Sequence, residues 1–330
     1  GISTWKTSGS TSDRVTLGYL VRRLLAVILV LFVVTFAVFA ITMILPGNAA
    51  VMILGEYGTE EAVAAMERRL GLDRPWYIQY FDWVSGVLVG DFGQSLRLSL
   101  PVADVVGDAF WNSASLAVTA LVSVTIIAIP LGVLAAIKRG TVADLIIGVF
   151  SYIGASMPEF VTATLLLVFL AGPALGLLPA GGFIAPNESV GGFASHVVLP
   201  AATLGLILTA HISRQVRSEM SEVLSSDYIR AARLKGLRER RVIRRHALPN
   251  SLAPAVAVIS LDIGYLLGGI IVVEEIFAWP GLGRLLIYAL ENRDLPVIQA
   301  ITLLLATVYA LSNLLSDIVI ALLDPRVRYA

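Results

Sequence analysis

The chain contains six long runs of apolar residues, each close to the ~20 residues that a helix needs to cross a lipid bilayer. They predict membrane spans at positions 24–45, 114–137, 145–171, 197–213, 251–273 and 297–323. The alternative is a set of buried helices in a large soluble protein. Only 15% of the 330 residues are charged and 57% are hydrophobic, whereas soluble domains carry about 25% charged residues. The pattern therefore predicts an all-α integral membrane protein.

The lysine and arginine residues indicate the orientation. With both termini inside, 18 of the 24 basic residues lie on the cytoplasmic side, where such residues concentrate in membrane proteins. We therefore predict an N-in/C-in chain with a cytoplasmic segment 1–23, a first span 24–45 and a large outer loop 46–113. A five-helix core 114–323 follows, containing a basic inner loop 214–249, and 324–330 form a cytoplasmic end.

The large outer loop has a helical pattern of its own. Thr59 followed by Glu60 and Glu61 predicts a capped amphipathic helix that ends at Gly71. Aromatic residues then form a band: Trp76, Tyr77, Tyr80, Phe81 and Trp83. Such bands are typical of the membrane interface, so an anchoring role is favoured over a substrate contact. A second outer loop is predicted at 172–195.

The inner loop between the fourth and fifth predicted spans begins with a short helix. Ser225 or Ser226 can cap this helix, and Asp227 in its first turn suits the positive end of the helix dipole. Gly236 can adopt the left-handed conformation that ends a helix. A short helix held between two spans is suited to docking in a groove of a cytoplasmic protein.

The order of residues separates this docking interpretation from a simpler one. An inner loop that merely binds anionic lipid needs only positive charge. Here Ala231 and Ala232, predicted to form a small-residue face, are followed by a glycine, by five arginines and then by Leu248 and Pro249. This order favours docking to a protein.

The inner loop resembles the "EAA" loop of the permease subunits of binding-protein-dependent ABC importers, which has the pattern E-A-A-x3-G-x9-I-x-L-P. Arg230 stands at the glutamate position and His246 at the isoleucine position. Both departures are usual in the dipeptide and oligopeptide branch of the family. The resemblance implies that ten residues couple the permease to an ATPase: Asp227, Tyr228, Arg230, Ala231, Ala232, Arg233, Lys235, Gly236, Leu248 and Pro249.

Further stretches resemble the same branch along nearly the whole chain: 70–75, 90–95, 130–140, 177–182, 274–283 and 322–329. The long outer loop is similar to that of the first of the two permeases in such systems. The resemblance implies the type I ABC importer permease fold in a bacterial cell membrane, with di- or oligopeptides as cargo. Nickel, glutathione, opines and haem are alternative cargoes of this branch.

The resemblance also implies a complex with a second homologous permease, two ATP-binding subunits and an extracytoplasmic solute-binding protein. Membrane lipid would surround the spans, and no nucleic acid is expected. ATP hydrolysis needs a phosphate-binding loop ending in Gly-Lys-Ser/Thr, and none of the three lysines follows a glycine. We therefore expect a transport subunit rather than an enzyme, without a cofactor of its own, while ATP and magnesium bind to partner subunits.

A stand-alone secondary transporter is the alternative from a different class. Such a protein would predict an internal repeat and ion-coupling acids in broken helices. The sequence has no clear repeat, which favours the importer subunit.

Acidic residues within the predicted spans are candidates for the translocation pathway, because ionisable groups are costly in lipid and usually face a cavity or a partner. Glu159 lies in the third span and Asp262 in the fifth. Either could contact the ammonium end of a peptide, or could bond a neighbouring helix or the second permease. Ser156 and Tyr265 are grouped with them as polar candidates. Asp317, near the cytoplasmic end of the sixth span, is expected to form a pair.

Overall fold

The computed structural model describes residues 17–44, 51, 54, 59–173 and 175–323. The described helices are α1 Leu17–Ile44, α2 Glu60–Leu70, α3 Trp76–Leu88, α4 Val102–Ile137, α5 Val142–Ser156, α6 Glu159–Leu166, α7 Val190–Leu224, α8 Asp227–Leu234, α9 Glu239–Val242, α10 Leu248–Ile276, α11 Leu282–Glu291 and α12 Leu295–Leu323. Two π-helical turns adjoin them, Leu167–Ala171 after α6 and Ile243–Ala247 before α10. Most of the predicted segment 1–23 and all of 324–330 lie outside the described residues.

Several of these helices are long and apolar enough to cross a membrane. In the described part of the chain, four pass this test individually: Val21–Met43, Val102–Ile137, Val190–Leu224 and Leu295–Val319. A bent pair of helices would add a fifth span, and the predicted span 251–273 lies within α10, which has 29 residues. The all-helical membrane fold is confirmed, and the number of six spans stays a prediction.

The third predicted span is broken rather than continuous. α5 ends at Ser156, and the axis turns by 108° before the helical stretch Glu159–Ala171. Pro158 lacks a backbone N–H, and a residue before proline is disfavoured in helical conformation. Met157 accordingly has an extended conformation, with φ −90° and ψ 125°. The prediction of a single helix over 145–171 is therefore wrong at this point.

Two other helices extend beyond their predicted ends. α7 covers Val190–Leu224 instead of 197–213, so it begins within the predicted second outer loop and continues into the predicted inner loop. The charged residues near its end did not stop the helix, because its buried face continues through Val216 and Met220. α4 begins at Val102 rather than at position 114, within the predicted outer loop.

The outer loop contains the predicted amphipathic helix and the aromatic band. Thr59 caps α2 by accepting a hydrogen bond from the Ala62 N–H at 3.3 Å, and Gly71 ends the helix with φ +70°. In α3, the Tyr80 ring packs edge-on against the rings of Phe36 and Phe39, with centroids 5.8 and 5.4 Å away. The aromatic band therefore holds α3 against α1.

The core lies where α4, α7 and α10 pack together. A Cβ on Gly132 of α4 would lie 2.6 Å from the carbonyl oxygen of Ser213 in α7, so a glycine is needed for this close approach. Packed around the contact are buried apolar side chains from the three helices, among them Leu116, Ala120, Val124, Leu204, Leu208, Ile212, Leu266 and Ile270. This packing fixes α7 and, with it, the start of the inner loop.

A buried carboxylate closes the turn between α10 and α11. Glu274 is fully buried, and its Oε1 accepts a hydrogen bond from Ser113 Oγ at 2.5 Å. Its Oε2 accepts the backbone N–H of Gly283 at 2.7 Å. A Cβ on Gly281 would overlap the carboxylate, so this turn requires glycine. The stretch 274–283, which resembles the importer permeases, therefore forms a tightly packed turn held together by Glu274.

Candidate functional site

The predicted docking helix is present as α8. Ser226 holds the N-cap position with an extended backbone, but its hydroxyl donates to the Val223 carbonyl at 2.5 Å and does not cap α8. Asp227 stands in the first turn, as expected. Gly236 ends the helical turn with φ +76°, a conformation that L-residues rarely adopt.

The two alanines of the motif lie on different sides of α8. Ile229 and Ala232 are buried, whereas Ala231 is exposed. Successive residues of a helix are about 100° apart, so neighbours cannot share one narrow face. The prediction that Ala231 and Ala232 form a single small-residue face is therefore wrong. Ala232 anchors the helix to the protein, and Ala231 is available to a partner.

The buried side of α8 packs into a small apolar cluster at the cytoplasmic end of the helices. With Ile229 and Ala232, the buried members are Ala136, Met220, Val242 and Ala247. These residues come from α4, α7, α9 and the π-helical turn before α10. The position of α8 is therefore tied to two long helices, α4 and α7, and to the turn that leads into α10.

The outward side of α8 carries an apolar strip with charged residues beside it. We call this surface, made of Asp227, Tyr228, Arg230, Ala231, Leu234 and Lys235, the docking face. Leu234 is 83% exposed and Tyr228 is 46% exposed. Both lie three residues from Ala231, at the spacing of one helical face. Leu234 was absent from the predicted coupling residues, although its spacing from Tyr228 and Ala231 could have identified it.

Hydrogen bonds brace α8 against its surroundings. The Arg233 guanidinium binds both carboxylate oxygens of Glu239 at 2.7 and 3.1 Å and also donates to the Leu224 carbonyl at 3.3 Å. The hydrogen bond with Arg233 lowers the pKa of the Glu239 carboxyl, and the pKa of Arg233 is raised in turn. Asn250 donates to the Tyr228 hydroxyl at 3.2 Å. Two-pronged arginine–carboxylate contacts fix geometry as well as charge, so α8 is held rigidly.

The other predicted coupling residues lie at the start of α10. Leu248 is half-buried and Pro249 is exposed, and neither belongs to the docking face. Proline is tolerated in the first turn of a helix because the N–H groups there have no intrahelical partner. The preceding π-helical turn, Ile243–Ala247, joins α9 to α10 without a loop. Leu248 and Pro249 therefore define where the fifth predicted span begins.

An ion pair that the sequence analysis did not identify lies close to this cytoplasmic end. Arg217 of α7 binds both carboxylate oxygens of Asp144 in α5 at 2.6 and 2.9 Å. Asp144 also accepts the backbone N–H of Gly140 at 3.0 Å. The two partners are 73 residues apart, and no local sequence pattern relates them. The predicted pair of Asp317 is present, with Arg23 at 3.1 Å.

The structure brings two of the predicted pathway residues into direct contact. The Tyr265 hydroxyl of α10 donates to Glu159 Oε1 at 3.0 Å, at the start of α6. Asp262 lies one turn before Tyr265 on the same helix and is buried. The Ser156 hydroxyl instead donates to the Tyr152 carbonyl at 2.7 Å, within α5. Among the described residues, no group of three or more acidic or histidine side chains is arranged to hold a metal ion.

The sequence matches a known family over nearly its whole length. Residues 128–329 match the family described as a binding-protein-dependent transport system inner membrane component, and residues 16–127 match its N-terminal part. The probable peptide ABC transporter permease protein y4tP of Sinorhizobium fredii is 37% identical over 94% of this chain and 99% of the relative.

Other relatives have similar identity, and their names give different cargoes. The dipeptide transport system permease protein DppB of Alkalihalophilus pseudofirmus is 38% identical over 95% of this chain and 100% of the relative. The glutathione transport system permease protein GsiC of Escherichia coli K12 is 38% identical over 95% of this chain and 99% of the relative. The chain is therefore a permease subunit, not an enzyme, and belongs to the family of inner-membrane components of binding-protein-dependent ABC importers.

Proposed function

We propose that this permease forms half of the translocation pathway for di- or oligopeptides and couples to cytoplasmic ATPases through residues 221–249. Two of the relatives described above are named as peptide or dipeptide permeases, which supports the cargo. The observation that carries the coupling role is the docking face. An 83% exposed leucine on a braced helix outside the membrane is an apolar surface suited to a protein partner.

The mechanism follows from the rigidity of α8. The helix is packed against residues of α4, α7 and the π-helical turn before α10, and Asn250 of α10 donates a hydrogen bond to its Tyr228, so a displacement of the docking face moves these helices with it. Closure of two ATP-binding subunits would then rock the spans between inward- and outward-facing arrangements, as rigid-body alternating access requires. We expect ATP and magnesium to bind in those subunits. A second homologous permease and an extracytoplasmic solute-binding protein complete the complex.

Substitution at Ala231 tests the coupling role. Ala231→Glu places a charged, longer side chain at the centre of the docking face, while Ala231→Ser keeps the residue small. In a reconstituted complex with ATPases and binding protein, we expect Ala231→Glu to abolish uptake while the permease still inserts into the membrane. Ala231→Ser should retain uptake. Normal uptake by Ala231→Glu would refute the assignment of the docking face.

Glutathione is the second candidate cargo, because a glutathione permease is as similar in sequence as the dipeptide permease. Binding of a dipeptide, a longer peptide and glutathione to the partner binding protein, followed by uptake of the ligands that bind, separates these candidates. The same binding measurement tests nickel, opines and haem. Uptake by the permease without its ATPases would favour a secondary transporter instead.

A further inference from the structure

Three helices bring polar groups together beside the break between α5 and α6. Glu159 is the first residue of α6, and its Oε1 accepts the Tyr265 hydroxyl of α10 at 3.0 Å. The His211 ring of α7 lies 6.1 Å from the Tyr265 ring, centroid to centroid. The break itself exposes helix ends inside the predicted span 145–171. Non-helical backbone within a membrane is tolerated where it is buried in protein or lines a water-filled cavity.

Asp262 adds a second carboxylate at the same place. It is the central residue of α10, whose range is Leu248–Ile276, and it precedes Tyr265 by three residues. Side chains at this spacing share a helical face, so the Asp262 carboxylate is directed towards the side of α10 that meets Glu159. Asp262 is only 8% exposed, and its Oδ2 has no hydrogen-bond partner among the described residues.

An unpartnered carboxylate oxygen at the centre of a membrane helix is costly and needs a reason. The two arginines in the cytoplasmic half of α7 have other contacts: the Arg214 guanidinium lies over the Tyr152 ring at 5.7 Å, and Arg217 pairs with Asp144. Neither Glu159 nor Asp262 forms an ion pair within the described part of the chain. A cation from outside this chain would satisfy Asp262.

The geometry also provides access for such a cation. Tyr265 is 46% exposed, so the group reaches the surface of the chain. Gly268 and Gly269 follow on α10, and a Cβ on Gly269 would lie 3.2 Å from Glu159 Oε1. A Cβ on Gly268 would meet open space. A side chain at position 269 would therefore crowd the Glu159 carboxylate, which is half-buried.

We propose that Glu159, Asp262 and Tyr265 form a binding site for the cationic amino group of the cargo as it crosses the membrane. The inference rests on the proposed import of peptides. The carboxylates would attract the ammonium group, and the Tyr265 hydroxyl would orient Glu159. We call these three residues the ammonium site.

The test uses the complete transporter in proteoliposomes, with its ATPases and its loaded binding protein. The probes are the alanine dipeptide with a free amino terminus and its N-acetylated form, which has no ammonium group. Loss of a hydrogen bond to a charged group weakens binding by about tenfold or more. We therefore expect Glu159→Gln and Asp262→Asn to lower uptake of the free dipeptide about tenfold relative to the acetylated one. Glu159→Asp, which keeps the charge, should recover part of this loss. The control is Glu188→Gln, a change at an exposed glutamate of the second outer loop, which should leave uptake of both dipeptides unchanged.

A photo-crosslinking measurement gives an independent readout. A benzophenone amino acid replaces Tyr265, and in a second variant it replaces Tyr152, which is 65% exposed on α5. We expect labelled dipeptide to crosslink at position 265 during turnover and not at position 152.

The outcomes separate this site from a structural role. An equal loss for both dipeptides, with a lower yield of assembled complex, would indicate that the acids bind the second permease and would overturn the inference. Unchanged uptake by both variants, or absence of crosslinking at position 265 in a complex that imports the dipeptide, would also overturn it. A wild-type complex that imports neither dipeptide and no longer peptide would refute the peptide cargo itself, and the ammonium site with it.

Discussion

Replacement of Leu234 by alanine gives a quantitative test of the docking face. Leucine has three more carbon atoms than alanine, and burial of each is worth about 0.8 kcal/mol, or about 2.4 kcal/mol in total. Leu234 is 83% exposed in the isolated chain. If the ATPase covers this exposed part, Leu234→Ala loses about 2 kcal/mol of docking free energy, which corresponds to about 30-fold weaker binding.

The assay is a titration of the purified ATPase subunits against the permease in lipid nanodiscs. Leu290→Ala is the matched control, because Leu290 is 54% exposed on α11, on the opposite side of the membrane in the predicted orientation. Neither substitution removes a buried side chain, so both variants should keep the thermal stability of the wild type. A change in affinity below about threefold for Leu234→Ala would show that the ATPase does not cover Leu234, and the docking face would need to be redrawn.

Three further predictions follow from the geometry. Gly236→Ala should destabilise the turn after α8 by about 1–2 kcal/mol, because φ is +76° there. It should also lower the coupling of ATP hydrolysis to uptake. Glu274→Ala should lower the free energy of unfolding by about 1–3 kcal/mol, since it leaves buried hydrogen-bond donors unpaired. Glu275→Ala, at the exposed neighbouring position, is the control. The pKa of Glu239 is lowered by its hydrogen bond with Arg233, so the carboxylate stays charged and paired at every pH above the usual pKa of a glutamate. The stabilisation of α8 by this pair is therefore lost as pH falls through the lowered pKa. Acid titrations that follow the mobility of α8 should show this change in the wild type and not in Glu239→Gln, which has no carboxylate to protonate.

The sequence predicted the helical membrane fold because apolar runs of this length have few other solutions. It did not predict the break at Met157 and Pro158, since hydropathy averages over a window and is insensitive to a change of axis. It also ended the fourth span too early. Charges such as Arg217 lower the mean hydropathy, but the buried face of α7 continues through Val216 and Met220, and Arg217 itself pairs with Asp144 of α5.

The short helix of the inner loop was predictable from the sequence, but which of its residues are buried and which are exposed was not. The motif singles out both Ala231 and Ala232, although only the packing of Ile229 and Ala232 against the long helices decides which alanine faces a partner. Leu234 shares the helical spacing of Tyr228 and Ala231 and could have been included on that ground, but its 83% exposure is visible only in the structure. The contact of Tyr265 with Glu159 spans 106 residues and depends on the bend that the sequence analysis did not predict.

The continuity of α7 has a mechanical consequence. Pro200 lies near its outer end, where a missing N–H makes bending easier. Residues 201–224 form an uninterrupted rod of about 36 Å at 1.5 Å per residue. A tilt of about 5° about Pro200 would displace the cytoplasmic end by about 3 Å. A movement of this size at the end of α7 that leads into the inner loop therefore needs only a small angular change near Pro200.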